Sequence, residues 1–263
     1  MSERILFVLI LNFIISLIGT LSYSVRLVGV RTGKIAASAA VFNILMLVSR
    51  VAAGLQGPLL TKFVESNSSS RDLINIFNNI IIVSGLAAIF GAFFMPTFQK
   101  IFYKAVDHFS IEKSIPRLII HSFSKNGIRY MKDSIGIPVK ESLTSVNIRK
   151  LPKRILIYNF ISIAIITAGG FAPIYAGSMA PDLRSTCISL SSIINGFATI
   201  LSIIFIDPYL SIMTDEVLDK KCSLEDFRSC IIGMVGSKVI GTFAALLLLV
   251  PASYLIVFVA KII

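Results

Sequence analysis

Charge, histidine and tryptophan are scarce in this chain. Of its 263 residues only 15% are charged, two are histidine and none is tryptophan. Soluble domains carry about 25% charged residues, so an ordinary soluble fold is excluded. The three cysteines (Cys187, Cys222 and Cys230) are odd in number and lack metal-site spacing, which excludes a disulfide framework and a zinc site. A hydrophobic content of 55% excludes a disordered chain as well.

The apolar residues collect in six long runs, at 5–25, 35–60, 73–98, 155–175, 187–206 and 231–259. Each run is long enough to cross a bilayer core of about 30 Å. In lipid a crossing segment must be helical, because no water is present to satisfy the backbone polar groups. The sequence therefore predicts an all-α integral membrane protein with about six transmembrane helices.

The basic residues predict the orientation. Loops 26–34, 99–154 and 207–228 hold three, twelve and three of the 25 lysines and arginines, and the opposite loops and termini hold five. Basic residues stay on the cytoplasmic side, so we expect both termini to be extracytoplasmic. We also expect the first run to be retained, because the basic loop after it is a stop-transfer pattern. No nucleic-acid-binding motif accompanies the net charge of +11, so we expect no nucleic acid partner.

The chain divides into three parts: a three-helix half at 1–98, a basic segment at 99–154 and a second three-helix half at 155–263. The segment opens with an apolar stripe of helical spacing, made of Phe98, Ile101, Phe102, Ala105, Val106 and Phe109. A second stretch begins at Ser114. Both predict amphipathic helices lying at an anionic membrane interface. The alternative is a solvated loop that only maintains topology.

Short similarities suggest that the two halves are repeats. Residues 10–14 around Asn12 resemble residues 157–161 around Asn159, and Pro58 with Glu65 parallels Pro208 with Asp215. Three crossings in each half would make the repeats inverted, an arrangement common in transporters with a site near the membrane midplane. The alternative is chance similarity between helices of like composition, and both interpretations stand at this stage.

Two basic residues lie inside the apolar runs. Arg50 is about 24 Å from Lys34 along a helix, and Lys238 is about 15 Å from Arg228. A cation at the bilayer centre costs about 2.5–3.5 kcal/mol, so it normally faces protein or a wet cavity. No acidic residue lies at comparable depth, which predicts that an anion enters the bundle. The alternatives are snorkelling and satisfaction by backbone carbonyls.

A second basic group, Arg26, Arg31 and Lys34, lies at the cytoplasmic end of the first run. Arginine suits bidentate contacts with phosphate, although a purely topogenic role explains the same residues. Catalytic signatures are missing: the sequence has no His-Glu-x-x-His, Walker or Gly-x-Ser-x-Gly motif. We therefore expect no enzyme activity, no metal and no cofactor.

Particular stretches resemble a known family. They are residues 20–35 with Tyr23-Ser24-Val25-Arg26 and Gly29-Val30-Arg31-Thr32-Gly33, then residues 42–45, 49–50, 56–60, 205–208 and 236–242, and Pro251. Together they are similar to the Amj-type lipid II flippases, an alternate to the MurJ exporters. The resemblance covers nearly the whole chain and is weakest in 99–154. It implies a multi-pass protein of the bacterial cytoplasmic membrane whose partners are lipid II and membrane lipids.

The resemblance and the intramembrane charges together give a hypothesis for the site. A groove would bind the pyrophosphate of the lipid through Arg26, Arg31 and Lys34 at its mouth and through Arg50 and Lys238 at depth, with Asn12, Asn43 and Gln56 adding uncharged hydrogen bonds. The rival classes are an enzyme acting on polyprenyl phosphates and a non-transporting assembly scaffold. Glycine-rich helices are also compatible with a homodimer.

Overall fold

The computed structural model describes residues 3–66, 70–112 and 151–263, with 114, 124, 129 and 132–134. Residues 115–123, which carry most of the second predicted interfacial helix, lie outside this part of the chain. The main helices within it are α1 (Glu3–Thr32), α2 (Ile35–Ser66), α3 (Ser70–Glu112), α4 (Lys153–Met179), α5 (Arg184–Ser189), α6 (Ser191–Leu201), α7 (Asp207–Leu218) and α8 (Leu224–Ile262). No strand occurs among the described residues.

Six helical segments are long and apolar enough to cross a membrane, which confirms the predicted fold class. Five of them are α1, α2, α3, α4 and α8. The remaining one, here called the fifth span, runs from Pro181 to Leu218. It is made of a 3₁₀ turn at Pro181–Leu183, helices α5 and α6, a π-helix at Ser202–Ile206 and α7. The protein is therefore an all-α integral membrane protein.

Local chemistry fixes the turns between these helices. Gly33 joins α1 to α2 with a φ of +67°, a left-handed conformation that suits glycine because it has no Cβ. At the start of α8, the Ser223 side chain accepts a hydrogen bond from the Asp226 backbone N–H and caps the helix. Both turns lie at the same end of the bundle, which we call the Gly33 end.

Three packed clusters define the two ends of the bundle. At the Gly33 end, Leu27 of α1 packs in one cluster with Met95 of α3 and Phe227 of α8. A second cluster there joins α1, α2 and α3. At the opposite end, which we call the Glu65 end, a larger cluster includes Val8, Leu60, Phe77, Ala176, Cys187 and Ile256. Each end therefore contains side chains from both halves of the chain.

Helix α3 differs from its prediction. The apolar stripe that begins at Phe98 is helical, but it continues α3 without a break to Glu112. Phe102 and Val106 are buried against Val28 of α1 and Val41 of α2. The stripe is therefore covered by neighbouring helices in this part of the chain. The third crossing and the first part of the predicted interfacial segment form one element.

The helix packing leaves two segments on the flanks. Helix α1 packs mainly on α2 and α3, and α4 packs mainly on α8. Helices α3 and α8 also contact each other, so α1, α3, α4 and α8 form the centre of the molecule. Helix α2 and the fifth span stand on its two sides, and a cavity lies between them.

Candidate functional site

A cavity of about 1520 Å³ separates α2 from the fifth span. Its lining on α2 extends from Phe42 to Glu65, a rise of about 35 Å at 1.5 Å per residue. Residues of α1, α4 and α8 line it between the two flanking segments. The cavity therefore reaches along most of the thickness of the bundle.

The two flanking segments are apolar on their outer surfaces. Val48, Val51 and Leu55 of α2 are exposed outside the cavity lining, and so are Phe197 and Ile200 of α6. The cavity lining between them includes hydroxyl, amide and charged side chains. A polar interior beside apolar, lipid-compatible rims suits an amphipathic molecule whose polar part enters while its apolar part stays in the bilayer.

Six of the eight predicted site residues line this cavity: Asn12, Arg26, Asn43, Arg50, Gln56 and Lys238. They come from α1, α2 and α8, so only the fold brings them together. Arg31 and Lys34 do not line it. Arg31 donates to Gln99 Oε1 over 3.1 Å, and Lys34 pairs with Asp107 and donates to Ser110 Oγ over 2.8 Å. All three partner residues belong to α3.

Lys238 is the deeply buried cation of the cavity. It is only 8% exposed, and its Nζ lies 5.9 Å from the centre of the Tyr23 ring. Within the described residues the ammonium group makes no hydrogen bond and no ion pair. A buried charge without a counter-ion is costly, and a bound anion would reduce that cost.

Arg50 has different surroundings. Its side chain is exposed on α2 where that helix borders the cavity. In the part of the chain that the structure describes, the guanidinium group has neither an acidic partner nor a hydrogen bond. All five of its N–H donors are therefore available to a ligand.

Arg26 is already paired. Its Nη2 lies 2.9 Å from Asp207 Oδ1 at the beginning of α7, and its guanidinium carbon is 5.4 Å from the centre of the Phe42 ring. Asp207 follows the π-helix directly, and both residues line the cavity at the Gly33 end. This ion pair joins the two halves of the chain across the cavity.

The amide residues divide between packing and the cavity. Asn12 donates to Ile80 O over 2.8 Å and to Ser84 Oγ, and it accepts from Gln56 Nε2 over 3.2 Å. The hydrogen-bonding groups of Asn12 are therefore used to hold α1, α2 and α3 together. Asn43 is exposed on the α2 wall and makes no such bonds within the described residues.

Several uncharged residues of the cavity were not among the predicted site residues. Tyr23 donates to Asn159 Oδ1 over 3.2 Å, and Asn159 donates to Met234 O and Ser237 Oγ over 3.0 and 2.7 Å. The Asn195 side-chain oxygen is buried and has no hydrogen-bond partner among the described residues. The similarity of Asn159 to Asn12 in the repeat comparison was the signal that could have singled out Asn159.

The Glu65 end of the cavity carries charges as well. Lys62 and Glu65 of α2 line it there. Glu65 Oε1 lies 3.9 Å from Arg184 Nη1 at the beginning of α5, a second ion pair between the two halves. Among the described residues no group of three or more His, Cys, Asp or Glu is placed to hold a metal ion.

Comparison with known proteins identifies the family of this chain. The family described as Amj, alternate to MurJ, matches residues 11–260. The lipid II flippase Amj of Bacillus subtilis (strain 168) is 30% identical over 263 residues, which cover 99% of this chain and 98% of that relative. No solved structure matches the chain. Because the family match extends over almost the entire sequence, including every residue that lines the cavity, the chain belongs to the Amj family.

Proposed function

We propose that this protein is a lipid II flippase of the bacterial cytoplasmic membrane. Lipid II is an undecaprenyl pyrophosphate that carries a sugar–peptide head. The head moves through the cavity from the inner to the outer leaflet, while the polyprenyl tail stays in lipid beside the apolar rims of α2 and α6. The homologue's activity supports this assignment.

One observation carries the proposal: Arg50 and Lys238 border the same cavity without a counter-ion in the described part of the chain. A pyrophosphate group is doubly anionic and offers several acceptor oxygens, so two separate cations can hold it. Arginine and lysine are the usual protein ligands of phosphate. We assign the pyrophosphate site to these two residues.

Arg26, Gln56 and Asn43 complete the proposed path. Arg26 meets the pyrophosphate at the Gly33 end, where the phosphate oxygens compete with Asp207 for the guanidinium group. Gln56 and Asn43 line the cavity farther along α2 and offer neutral hydrogen bonds to the head. Arg31 and Lys34 are assigned to holding α3 against the α1–α2 turn, because their side chains bond there.

The direction of transport follows from the charge distribution. Because the basic loops connect helices whose ends lie at the Gly33 end, we place that end in the cytoplasm. A membrane potential that is negative inside favours outward movement of an anion by about 2.3 kcal/mol per charge per 100 mV. The two halves alternate in opening the cavity to either side, as inverted-repeat transporters do.

The test is the removal of the two cations from the cavity. Arg50→Gln and Lys238→Met, singly and together, are expressed in cells depleted of their other lipid II exporters, and lipid II at the outer surface is labelled. We expect each single variant to reduce export and the double variant to abolish it. Lys261→Gln is the matched control, since Lys261 is exposed and does not line the cavity. Normal export by the double variant, at normal protein levels in the membrane, would overturn the proposal.

A further inference from the structure

The Lys238 ammonium group lies in a notch formed by a glycine. A Cβ built on Gly19 of α1 would be only 2.7 Å from Lys238 Nζ, closer than non-bonded atoms approach. Any other residue at position 19 would therefore displace the ammonium group. Gly57 and Gly170 also line the cavity, and no atom of the described residues lies within 4 Å of a Cβ added to either. The close approach is specific to Gly19 among them.

Tyr23 forms a second wall around the ammonium group, and we call Gly19 and Tyr23 together the seat of Lys238. It lies four residues after Gly19, so both face the same side of α1. Its ring centre is 5.9 Å from Lys238 Nζ, within the range of a cation–π contact. An aromatic ring attracts the cation without accepting its protons in hydrogen bonds, so the three N–H donors of the lysine remain available.

The ring of Tyr23 is itself anchored on both neighbouring helices. Its hydroxyl donates to Asn159 Oδ1 of α4. Asn159 in turn donates to the Met234 carbonyl and to the Ser237 hydroxyl, and Ser237 precedes Lys238 on α8. Three helices are thus connected around one ammonium group. A flexible lysine would otherwise extend toward water at the end of its helix.

We infer that Gly19 and Tyr23 are positioning residues for the anion site: they hold the Lys238 ammonium group beside the cavity, with its donors directed to the phosphate oxygens of the substrate. The inference rests on the proposed function. Because the seat exists before the ligand binds, the lysine loses little conformational freedom on binding, which increases affinity.

A double-mutant cycle tests this role. The purified full-length protein is titrated with undecaprenyl pyrophosphate, and Kd is measured for Gly19→Ala, for Lys238→Met and for the two together. We expect Gly19→Ala to raise Kd about tenfold, the effect of losing one hydrogen bond to a charged group. In the Lys238→Met background the same change should alter Kd by less than about twofold, because no ammonium group is left to displace.

Controls separate positioning from folding. Gly57→Ala adds the same methyl group to the same cavity without a clash and should leave Kd unchanged. Gly19→Ala should fold, since the clashing atom is the tip of a flexible side chain and the backbone need not move. Tyr23→Leu removes the ring and Tyr23→Phe keeps it. Run through the same cycle, the leucine variant should raise Kd more than the phenylalanine variant.

The outcomes distinguish the two proposals. If Lys238→Met leaves Kd unchanged, the proposed pyrophosphate site is wrong and the inference falls with it. If Lys238→Met weakens binding but Gly19→Ala and Tyr23→Leu do not, only the positioning role is overturned. The positioning role is also overturned if Gly19→Ala raises Kd equally with and without Lys238, because the glycine would then affect the fold and not the ammonium group.

Discussion

At the scale of single residues, the two unpaired cations of the cavity differ in how firmly they are held. Lys238 is buried between a glycine notch and an aromatic ring, whereas Arg50 is exposed on a flanking helix. A buried side chain has few alternative rotamers, and an exposed arginine has many. In the proposed site we therefore expect Lys238 to fix where the anion sits and Arg50 to adapt to the ligand that arrives.

This difference predicts unequal tolerance of charge-conserving exchanges. Arg50→Lys should retain most export, because the exposed position accepts a smaller cation without repacking. Lys238→Arg should reduce export about tenfold or more, since a guanidinium group is larger than the notch beside Gly19 and misplacement of about 1 Å is costly at such sites. Surface labelling of lipid II in exporter-depleted cells measures both variants. Equal tolerance at the two positions would contradict the seat described for Lys238.

Asn12 illustrates a cavity residue whose contribution is to stability. Its amide links α1 to Ile80 and Ser84 of α3 and accepts from Gln56 of α2. We expect Asn12→Ala to lower the free energy of unfolding by about 1–2 kcal/mol, because buried partners lose their hydrogen bonds. Thermal unfolding in detergent measures the loss.

Asn43→Ala is the control for Asn12. Asn43 lines the same cavity but is exposed and makes no side-chain hydrogen bond within the described residues. The unfolding temperature of the Asn43→Ala variant should stay at the wild-type value. If Asn12→Ala were as stable as Asn43→Ala and instead bound undecaprenyl pyrophosphate more weakly, Asn12 would be a ligand-binding residue as the sequence predicted.

At the scale of elements, helix α3 explains why two of the predicted mouth residues turn away from the cavity. Arg26 and Arg31 are five positions apart on α1, so their side chains point about 140° from each other. Arg26 faces the cavity, and Arg31 faces α3. Lys34, in the turn between α1 and α2, pairs with Asp107 of α3. Charge clustering in a sequence does not imply clustering on one face.

The contacts with α3 predict a separation of phenotypes. Lys34→Gln and Asp107→Asn should loosen the C-terminal end of α3, because each variant removes the half-exposed ion pair there. Such a pair contributes little to overall stability, so the Kd for undecaprenyl pyrophosphate should stay within about twofold of wild type. Hydrogen exchange of residues 100–112 should become faster in both variants. Arg26→Gln is the comparison, and it should weaken binding without changing that exchange. Weakened binding in Lys34→Gln alone would restore its predicted role at the mouth.

The sequence predicted the elements better than their ends. Apolar runs of about twenty residues leave no alternative to helices in lipid, so all six spans are confirmed. The continuation of α3 beyond Phe98 depends on packing against α1 and α2, which local composition does not encode. The π-helix before Asp207 was not predicted from the sequence either.

Among the cavity residues, Arg50 and Lys238 were predicted because a charge in an apolar run is rare. Gly19 and Tyr23 carry no charge and become informative only through their contacts.

At the scale of the whole molecule, the two halves use the same internal bond. In the first half, Asn12 of α1 donates to a backbone carbonyl and a serine hydroxyl of α3. In the second half, Asn159 of α4 donates to a backbone carbonyl and a serine hydroxyl of α8. Helix α1 runs toward the Gly33 end and α4 begins there. This correspondence supports the hypothesis of inverted repeats.

Ion pairs connect the halves at both ends of the cavity. Arg26 and Asp207 join α1 to α7 at the Gly33 end, and Glu65 and Arg184 join α2 to α5 at the Glu65 end. The two pairs are about 35 Å apart along α2, judged from the 23 residues between Phe42, whose ring centre is 5.4 Å from the Arg26 guanidinium carbon, and Glu65. Such partly exposed pairs contribute little to stability, so the proposed transport mechanism allows each to break and re-form.

Alternating access therefore makes a prediction about the Glu65 end. With Cys187, Cys222 and Cys230 replaced by alanine, Glu65→Cys and Arg184→Cys are joined by a short, cleavable bifunctional thiol reagent. Crosslinking should stop export because the halves can no longer separate where the head is released. Binding of undecaprenyl pyrophosphate should persist, since Lys238 and Arg50 are far from the link. Export is measured before crosslinking, after it and after cleavage, which should restore it.

The crosslink separates a rocking mechanism from a fixed groove. In a fixed groove the head would slide along α2 past the cations, and the flanking helices would stay in place throughout. A short link at one end would then leave export almost unchanged, because it blocks no movement that the mechanism needs. The single variant Glu65→Cys, treated with the same reagent, shows the effect of modification alone. If the crosslinked double-cysteine protein still exported lipid II and the single-cysteine control were unaffected, alternation of the halves would be wrong. A permanently open groove would then be the mechanism.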